Sequence, residues 1–285
     1  MDWQRMRRSQ NVEYRRGGRA LGGRAGLGCG GLIVVLVLSW LMGVNPLYLV
    51  GLLQEGGEGP PARVQVEPPA NDRNTDFVRA ILGDTEDIWN AIFQRSNQSY
   101  AEPKLVLFNG VVQSACGFAS AAVGPFYCSR DEEVYLDLSF FEDLSQRFGA
   151  PGDFARAYVI AHEVGHHIQH LLGISAKVQA QRAQADEATS NALSVRQELQ
   201  ADCFAGVWGH YTAKRGLVDR ADIAAALNAA AQIGDDRLQK RAQGYVVPEA
   251  FTHGSAAQRV QWFQKGLESG DPGQCNTFTA TAGQF

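Results

Sequence analysis

An α+β domain behind an N-terminal membrane-spanning helix is the fold the sequence predicts, from three observations. Residues 26–53 are an apolar run without a single charge. The chain beyond them alternates between segments of helical and of strand-like apolar periodicity. Two of its helical segments carry clustered histidines and acids, so polar side chains are placed deliberately among apolar ones.

The elements follow in order. Residues 1–25 hold seven arginines against Asp2 and Glu13, with several glycines, and read as a basic, disordered tail on the cytoplasmic side. Residues 26–53 are long enough to span a bilayer. A cleaved signal peptide fits less well, because 47–53 continues the apolar run past Asn45-Pro46. Residues 54–74, rich in Gly and Pro, form a linker. Residues 75–285 can bury one core and form one domain.

Within it, 76–95 is an amphipathic helix through Phe77, Ile81, Ile88, Trp89 and Ile92. Residues 104–108, 111–112, 126–128 and 133–141 read as strands of a small mixed or antiparallel sheet. Alternation puts Val134, Leu136 and Leu138 on one face and Tyr135 and Asp137 on the other, and this strand could be the sheet edge that takes an extended peptide. Residues 153–172 form a helix with Asp153 as N-cap and Gly173 as stop. Residues 222–238 form an alanine-rich helix, and a last helix starts near Ala256 with Ser255 and Gln258 at capping-box spacing. The polar stretch 179–191 is either an exposed helix or a mobile lid.

Net charge is −4, and with the arginine tail set aside the domain is clearly acidic, which excludes a nucleic-acid surface. Cys116, Cys128, Cys203 and Cys275 fit disulfides outside the cytoplasm, with Cys29 in the apolar run. Three pairings are possible. Cys116 with Cys128 would close a short loop, and Cys203 with Cys275 would tie a helix to the C-terminal tail. No CxxC pair exists to build a cysteine zinc site.

The chemistry is concentrated in His162-Glu163-Val164-Gly165-His166. Histidines four apart share one helix face and can close on one zinc ion, while the glutamate between them can take a proton from a metal-bound water. Gly165 costs about 1 kcal/mol relative to Ala in a helix, and close packing of a second element would explain it. In a second helical stretch Glu198 can supply a third ligand, leaving a fourth position for water. Asp202, one turn on, can accept a hydrogen bond from a ligand histidine and fix its tautomer.

An HExxH helix followed by an ExxAD helix resembles the gluzincin metallopeptidases. The strings Cys116-Gly117, Gly124-Pro125-Phe126-Tyr127-Cys128 and Val134-Tyr135-Leu136-Asp137, with 161–169 and 198–208, resemble the bacterial neutral zinc metallopeptidase family, from about residue 75 to the end. The ligand, base and outer-partner positions show no departure from that pattern. The resemblance implies a gluzincin-like domain, its small sheet packed on the two motif helices, and a membrane-tethered zinc peptidase.

Of the other histidines, His170 makes a rival pair with His166 but lacks the following glutamate. His167 and His170 are expected at the surface or as outer partners of the site, and His210 as structural. His253, on a loop at a helix entrance, could be aimed into the cleft to stabilise an oxyanion, a role related gluzincins give to a histidine or tyrosine.

The expected protein is thus a single-pass inner-membrane zinc endopeptidase, its N-terminus cytoplasmic and its domain periplasmic. One zinc is held by His162, His166 and Glu198, Glu163 is the general base, and the substrate is a peptide or protein. A zinc-stabilised envelope scaffold without activity and a zinc amidase of cell-wall peptides are the alternatives.

Overall fold

The computed structural model describes residues 1–16, 72–120 and 124–278. The chain opens with a 3-10 turn, Trp3–Arg5, and strand β1, Val12–Arg16. Helix α1, Arg73–Arg95, starts at Asp72, whose carboxylate accepts the amides of Asn74 and Thr75. Strands β2 (Lys104–Asn109), β3 (Val111–Ser114), β4 (Gly117–Ser120), β5 (Phe126–Cys128) and β6 (Glu133–Asp137) follow. Helices α2 (Phe140–Gln146), α3 (Asp153–Leu171), α4 (Ile174–Arg182) and α5 (Glu187–Lys214) come next, then α6 (Arg220–Gln232), α7 (Asp235–Gln243) and α8 (Ala256–Ser269).

Four strands form one mixed sheet in the order β1-β2-β6-β5, in which β1, β2 and β6 run parallel and β5 is antiparallel to β6. Tyr14 pairs with Leu107, and Leu107 with Leu136. Strands β3 and β4 make a separate hairpin. Leu105, Leu107, Val134 and Leu136 join the main core, while Val106, Phe108 and Tyr135 pack into a second cluster with Val112 and Ala119 of the hairpin.

Both sheet faces are therefore covered, and all five residues of β6 are buried. This corrects two expectations. Strand β6 lies between β2 and β5 instead of at the edge, and β5 is outermost. The strand also ends at Asp137, whose carboxylate accepts from Gly110 N and from Ser139 N and Oγ, so the chain turns into α2 before residue 141.

The expectation for residues 1–25 is corrected over 1–16. This segment is part of the domain, which therefore combines it with residues from 72 onward. Trp3 is buried edge-on against Phe77 at 5.5 Å and donates to Asp153 at 3.0 Å. Its arginines meet acids: Arg8 binds Asp76 at 2.8 Å, Arg7 binds Glu86 at 2.6 Å, and Arg15 binds Glu133 at 2.8 Å. A clustered basic sequence carries the same signature whether its charges face a membrane or partners far along the chain. A Cβ at Gly83 would lie 2.5 Å from Arg7 O, so the segment runs directly on α1. The expected span at 26–53 and most of the linker lie outside the described residues, and no described helix is long and apolar enough to cross a membrane.

The helix expected over 222–238 divides at Gly234, where a Cβ would meet Ala256 N at 2.3 Å. Residues 179–191 are helical at both ends, with Asp186 capping α5 by accepting from Thr189 N. The disulfides pair Cys116 with Cys128 and Cys203 with Cys275.

Helices α5 and α8 cross at van der Waals contact of their backbones. A Cβ on Gly206 would stand 2.1 Å from Phe263 O, and one on Gly266 would stand 2.0 Å from Cys203 O. Gly206→Ala should therefore lower unfolding free energy by about 3 kcal/mol, since the obstruction is backbone and cannot rotate away. Denaturant unfolding checks this, and a change near zero would mean that the helices separate freely.

Candidate metal centre

Helix α3 presents the motif and α5 presents the third acid. Gly165 lets them meet, because a Cβ there would lie 2.9 Å from Ala201 O. The close packing that its place in the motif calls for is thus supplied by α5. The helix start differs from expectation: the N-cap is Gly152, at φ 115, and Asp153 is the first helical residue, its carboxylate taken by Trp3 and Arg156. A glycine suits that φ, since side chains rarely adopt it.

His162, His166 and Glu198 converge, with their donor atoms all within 4.8 Å of one another. His162 Nε2 lies 3.2 Å from Glu198 Oε2, and His166 Nε2 lies 3.2 Å from Oε1. One carboxylate faces two imidazole nitrogens, so three ligand atoms point at a common centre. Two imidazoles and one carboxylate match a zinc site that keeps an open position.

Each histidine is also oriented from behind, as metal-binding histidines are. His162 Nδ1 lies 2.8 Å from Asp202 Oδ1, as expected of Asp202. His166 Nδ1 lies 2.9 Å from Gln169 Oε1, and Gln169 Nε2 donates to Gln197 O and Gln200 Oε1. Gln169 escaped the sequence reading, although its i+3 spacing from His166 was visible. Tyr158, one turn before His162, donates to Asp202 at 2.5 Å. Arg259 of α8 reaches the same carboxylate from 57 residues further along the chain, and no local signal marks it.

Glu163 is buried beside these ligands. Burial pushes its carboxyl above the usual range, against the lowering influence of His162 and His166. Burial alone would lower His162, but the charge of Asp202 and hydrogen bonds to Asp202 and Glu198 raise it to about 10. His166 is likewise raised, by Glu198 against burial. Burial raises Glu198, yet the two histidines hold it well below the usual carboxylate range.

The centre opens into a cleft of about 720 Å³, a size suited to a ligand. His162, Glu163, His166 and Glu198 line it together with His253, Tyr127 of the edge strand β5, Phe140 and Phe148 around α2, and Gln179 and Arg182 of α4. The stretch 179–191 thus contributes one helical wall.

His253 stands in the cleft with Nδ1 3.2 Å from Asp235 Oδ1. Asp235 Oδ2 collects the backbone amides of Thr252, His253 and Gly254, which fixes the loop. The hydrogen bond to Asp235 raises His253 above its ordinary value despite partial burial. Asp235 was missed because it acts across a loop.

The remaining histidines separate. His167 is fully buried, against the expectation that it lies at the surface, and its ring is bonded away from the ligands. Its Nε2 donates to Ala101 O at 2.7 Å, so Nδ1 accepts from Tyr127 Oη at 3.0 Å. His170 faces Glu132 near the surface. His210 Nδ1 bonds Leu267 O between α5 and α8, the structural place expected of it.

Comparison with known proteins agrees with this centre. The family model described as "Putative neutral zinc metallopeptidase" matches residues 1–278. The chain is 48% identical over 284 residues to the Escherichia coli K12 protein YpfJ, covering 98% of this chain and 99% of that one. It is 44% identical over 216 residues to Rv2575 of Mycobacterium tuberculosis H37Rv, covering 72% of each. Both relatives are called uncharacterized proteins. No solved structure matches the chain.

Because the metal-free His162 keeps a proton to about pH 10, a metal must expel that proton to take the nitrogen lone pair at pH 7. Zinc binding should release protons and weaken as pH falls. Titration calorimetry in buffers of different ionisation enthalpy measures this, and heats independent of buffer would contradict it.

Proposed function

This chain belongs to the neutral zinc metallopeptidase family, and from that premise we propose that it is a zinc-dependent endopeptidase with Glu163 as general base. The observation that carries the reading is Glu163 set beside the converging His162, His166 and Glu198 in one open cleft. A zinc ion held by those three residues would supply Lewis-acid polarisation of the scissile carbonyl and a more acidic water.

The chain's own residues account for the rest. Glu163, its affinity for protons increased by burial, takes a proton from the attacking water and delivers it to the leaving nitrogen. Asp202 and Gln169 hold the two ligand imidazoles in the tautomer that presents Nε2. His253, anchored through Nδ1 to Asp235, whose hydrogen bond raises its affinity for a proton, offers Nε2–H in its protonated form to the oxygen that gains charge during attack. The cleft tyrosines suit that role less well. Tyr127 donates to His167, and Tyr158 donates to Asp202.

A peptide substrate is supported by β5, the outermost strand beside the cleft, to which an extended chain can add with little sequence demand. Endopeptidase action is supported by the extent of the cleft, which reaches from Phe140 and Phe148 to Gln179 and Arg182.

Location is also proposed. Two disulfides favour an oxidising, extracytoplasmic compartment. The apolar run 26–53 favours membrane attachment. Because β1 pairs with β2, residues 1–16 go with the domain, and a cytoplasmic N-terminus is not carried forward. In a Cys29→Ser background, a cysteine replacing exposed Gln10 should react with a membrane-impermeant maleimide in intact spheroplasts. Labelling only after lysis would place the segment inside.

The function is tested by zinc content and casein hydrolysis of the parent, Glu163→Gln and His253→Ala. All three should hold about one zinc. Turnover should fall about 10²–10⁴-fold for Glu163→Gln and about 10²–10³-fold for His253→Ala. Retained turnover in Glu163→Gln rejects the assigned base. Hydrolysis of purified cell-wall peptide but not casein would redirect the reading to an amidase.

A further inference from the structure

Arg259 is the least expected side chain at the centre. It is 3% exposed and carries a full charge close to a cation site, from a helix outside both sequence motifs. Its Nε donates to Asp202 Oδ2 at 2.8 Å and its Nη2 to Oδ1 at 2.9 Å, a two-pronged bond that matches carboxylate geometry. Nη2 also donates to Tyr158 Oη at 3.2 Å and stands 3.4 Å from His162 Nδ1. Nη1 donates to Ile233 O at 3.3 Å.

Asp202 is wholly buried, and its Oδ1 also accepts from Tyr158 and His162. That oxygen is the one that sets the direction of the His162 ring. A carboxylate held by a single donor can rotate about its last bond. The planar fork of Arg259, whose two nitrogens take one oxygen each, removes that freedom.

Burying such a pair seldom adds net stability over apolar packing of equal volume, which directs attention to what the pair positions. The guanidinium is itself held by backbone. Helix α8 is pressed onto α5 at Gly206 and Gly266, and Cys203–Cys275 ties α5 to the 3-10 turn Pro272–Cys275 that follows α8.

We propose that Arg259 is a positioning residue of the metal centre, which sets zinc affinity by locking Asp202 and, through it, the His162 ring. The C-terminal helix is then a working part of a centre whose ligands all lie on α3 and α5. The proposal rests on the zinc reading of the site but not on peptidase activity, because its readout needs no substrate.

The test compares zinc affinity, by competition with a chelator, in the full chain and its Arg259→Lys, Asp202→Asn and doubly substituted forms. Lysine keeps the charge and loses the fork. Arg259→Lys should bind zinc about 10–100-fold more weakly, and in the Asp202→Asn background the same change should cost less than about twofold, because the two residues act in series. Cobalt substituted for zinc should show altered ligand-field absorption in Arg259→Lys. If lysine prevents folding, Arg259→Gln, shorter and neutral but with a planar amide that keeps two N–H donors, takes its place. Zinc affinity within about twofold of the parent, or losses that simply multiply in the double variant, would overturn the proposal and leave Arg259 as packing. A chain that binds zinc as expected but cleaves no peptide would count against the peptidase reading alone.

Discussion

The close crossing of α3 and α5 at Gly165 is the constraint on which the centre depends. Two histidines one turn apart define only two corners of a metal site. The third comes from another helix, and Glu198 reaches it because the backbones approach to a distance that no side chain at 165 would permit. The helix cost of that glycine, about 1 kcal/mol, is small beside what convergence makes possible. The same device recurs where α5 meets α8 at Gly206 and Gly266, so α5 is gripped closely on two sides.

Charge is arranged in layers around this crossing. The innermost layer is His162, His166 and Glu198, and the next is Asp202 and Gln169. Outside these lie Tyr158, Arg259 and Gln200, the last donating to the carbonyl of the disulfide residue Cys275. Buried polar groups without partners destabilise a fold, and these are nearly all engaged. A network of this kind gives the ligands fixed directions and leaves Glu163 as the buried acid raised by desolvation, a state suited to exchanging protons.

The sheet organises the opposite wall. Its central strands are covered on both faces, by helices and by the β3–β4 hairpin, so only an outer strand can meet a ligand through its backbone. β5 occupies that position beside the cleft. At the far edge β1 closes the sheet with its Arg15 paired to Glu133 of β6, while Arg7 and Arg8 ahead of the strand meet Glu86 and Asp76 of α1. Basic residues at the start of a chain, ahead of an apolar run, look topogenic, yet here they contribute to the domain.

By itself the sequence determined whatever depends on spacing along one element. The paired histidines with Glu163, Gly173 ending α3, the Ser255–Gln258 capping box and the Glu198–Asp202 turn were all legible, because helix periodicity converts sequence distance directly into direction. Tertiary structure alone decided what depends on meetings between distant segments. Arg259 on Asp202, Asp235 on His253, β1 beside β2 and the exchange of edge between β6 and β5 carry no local periodic signal. An arginine bound for a metal centre and an arginine bound for solvent look alike in sequence. What separates them is whether a carboxylate, brought there by the fold, waits in a place that water cannot reach.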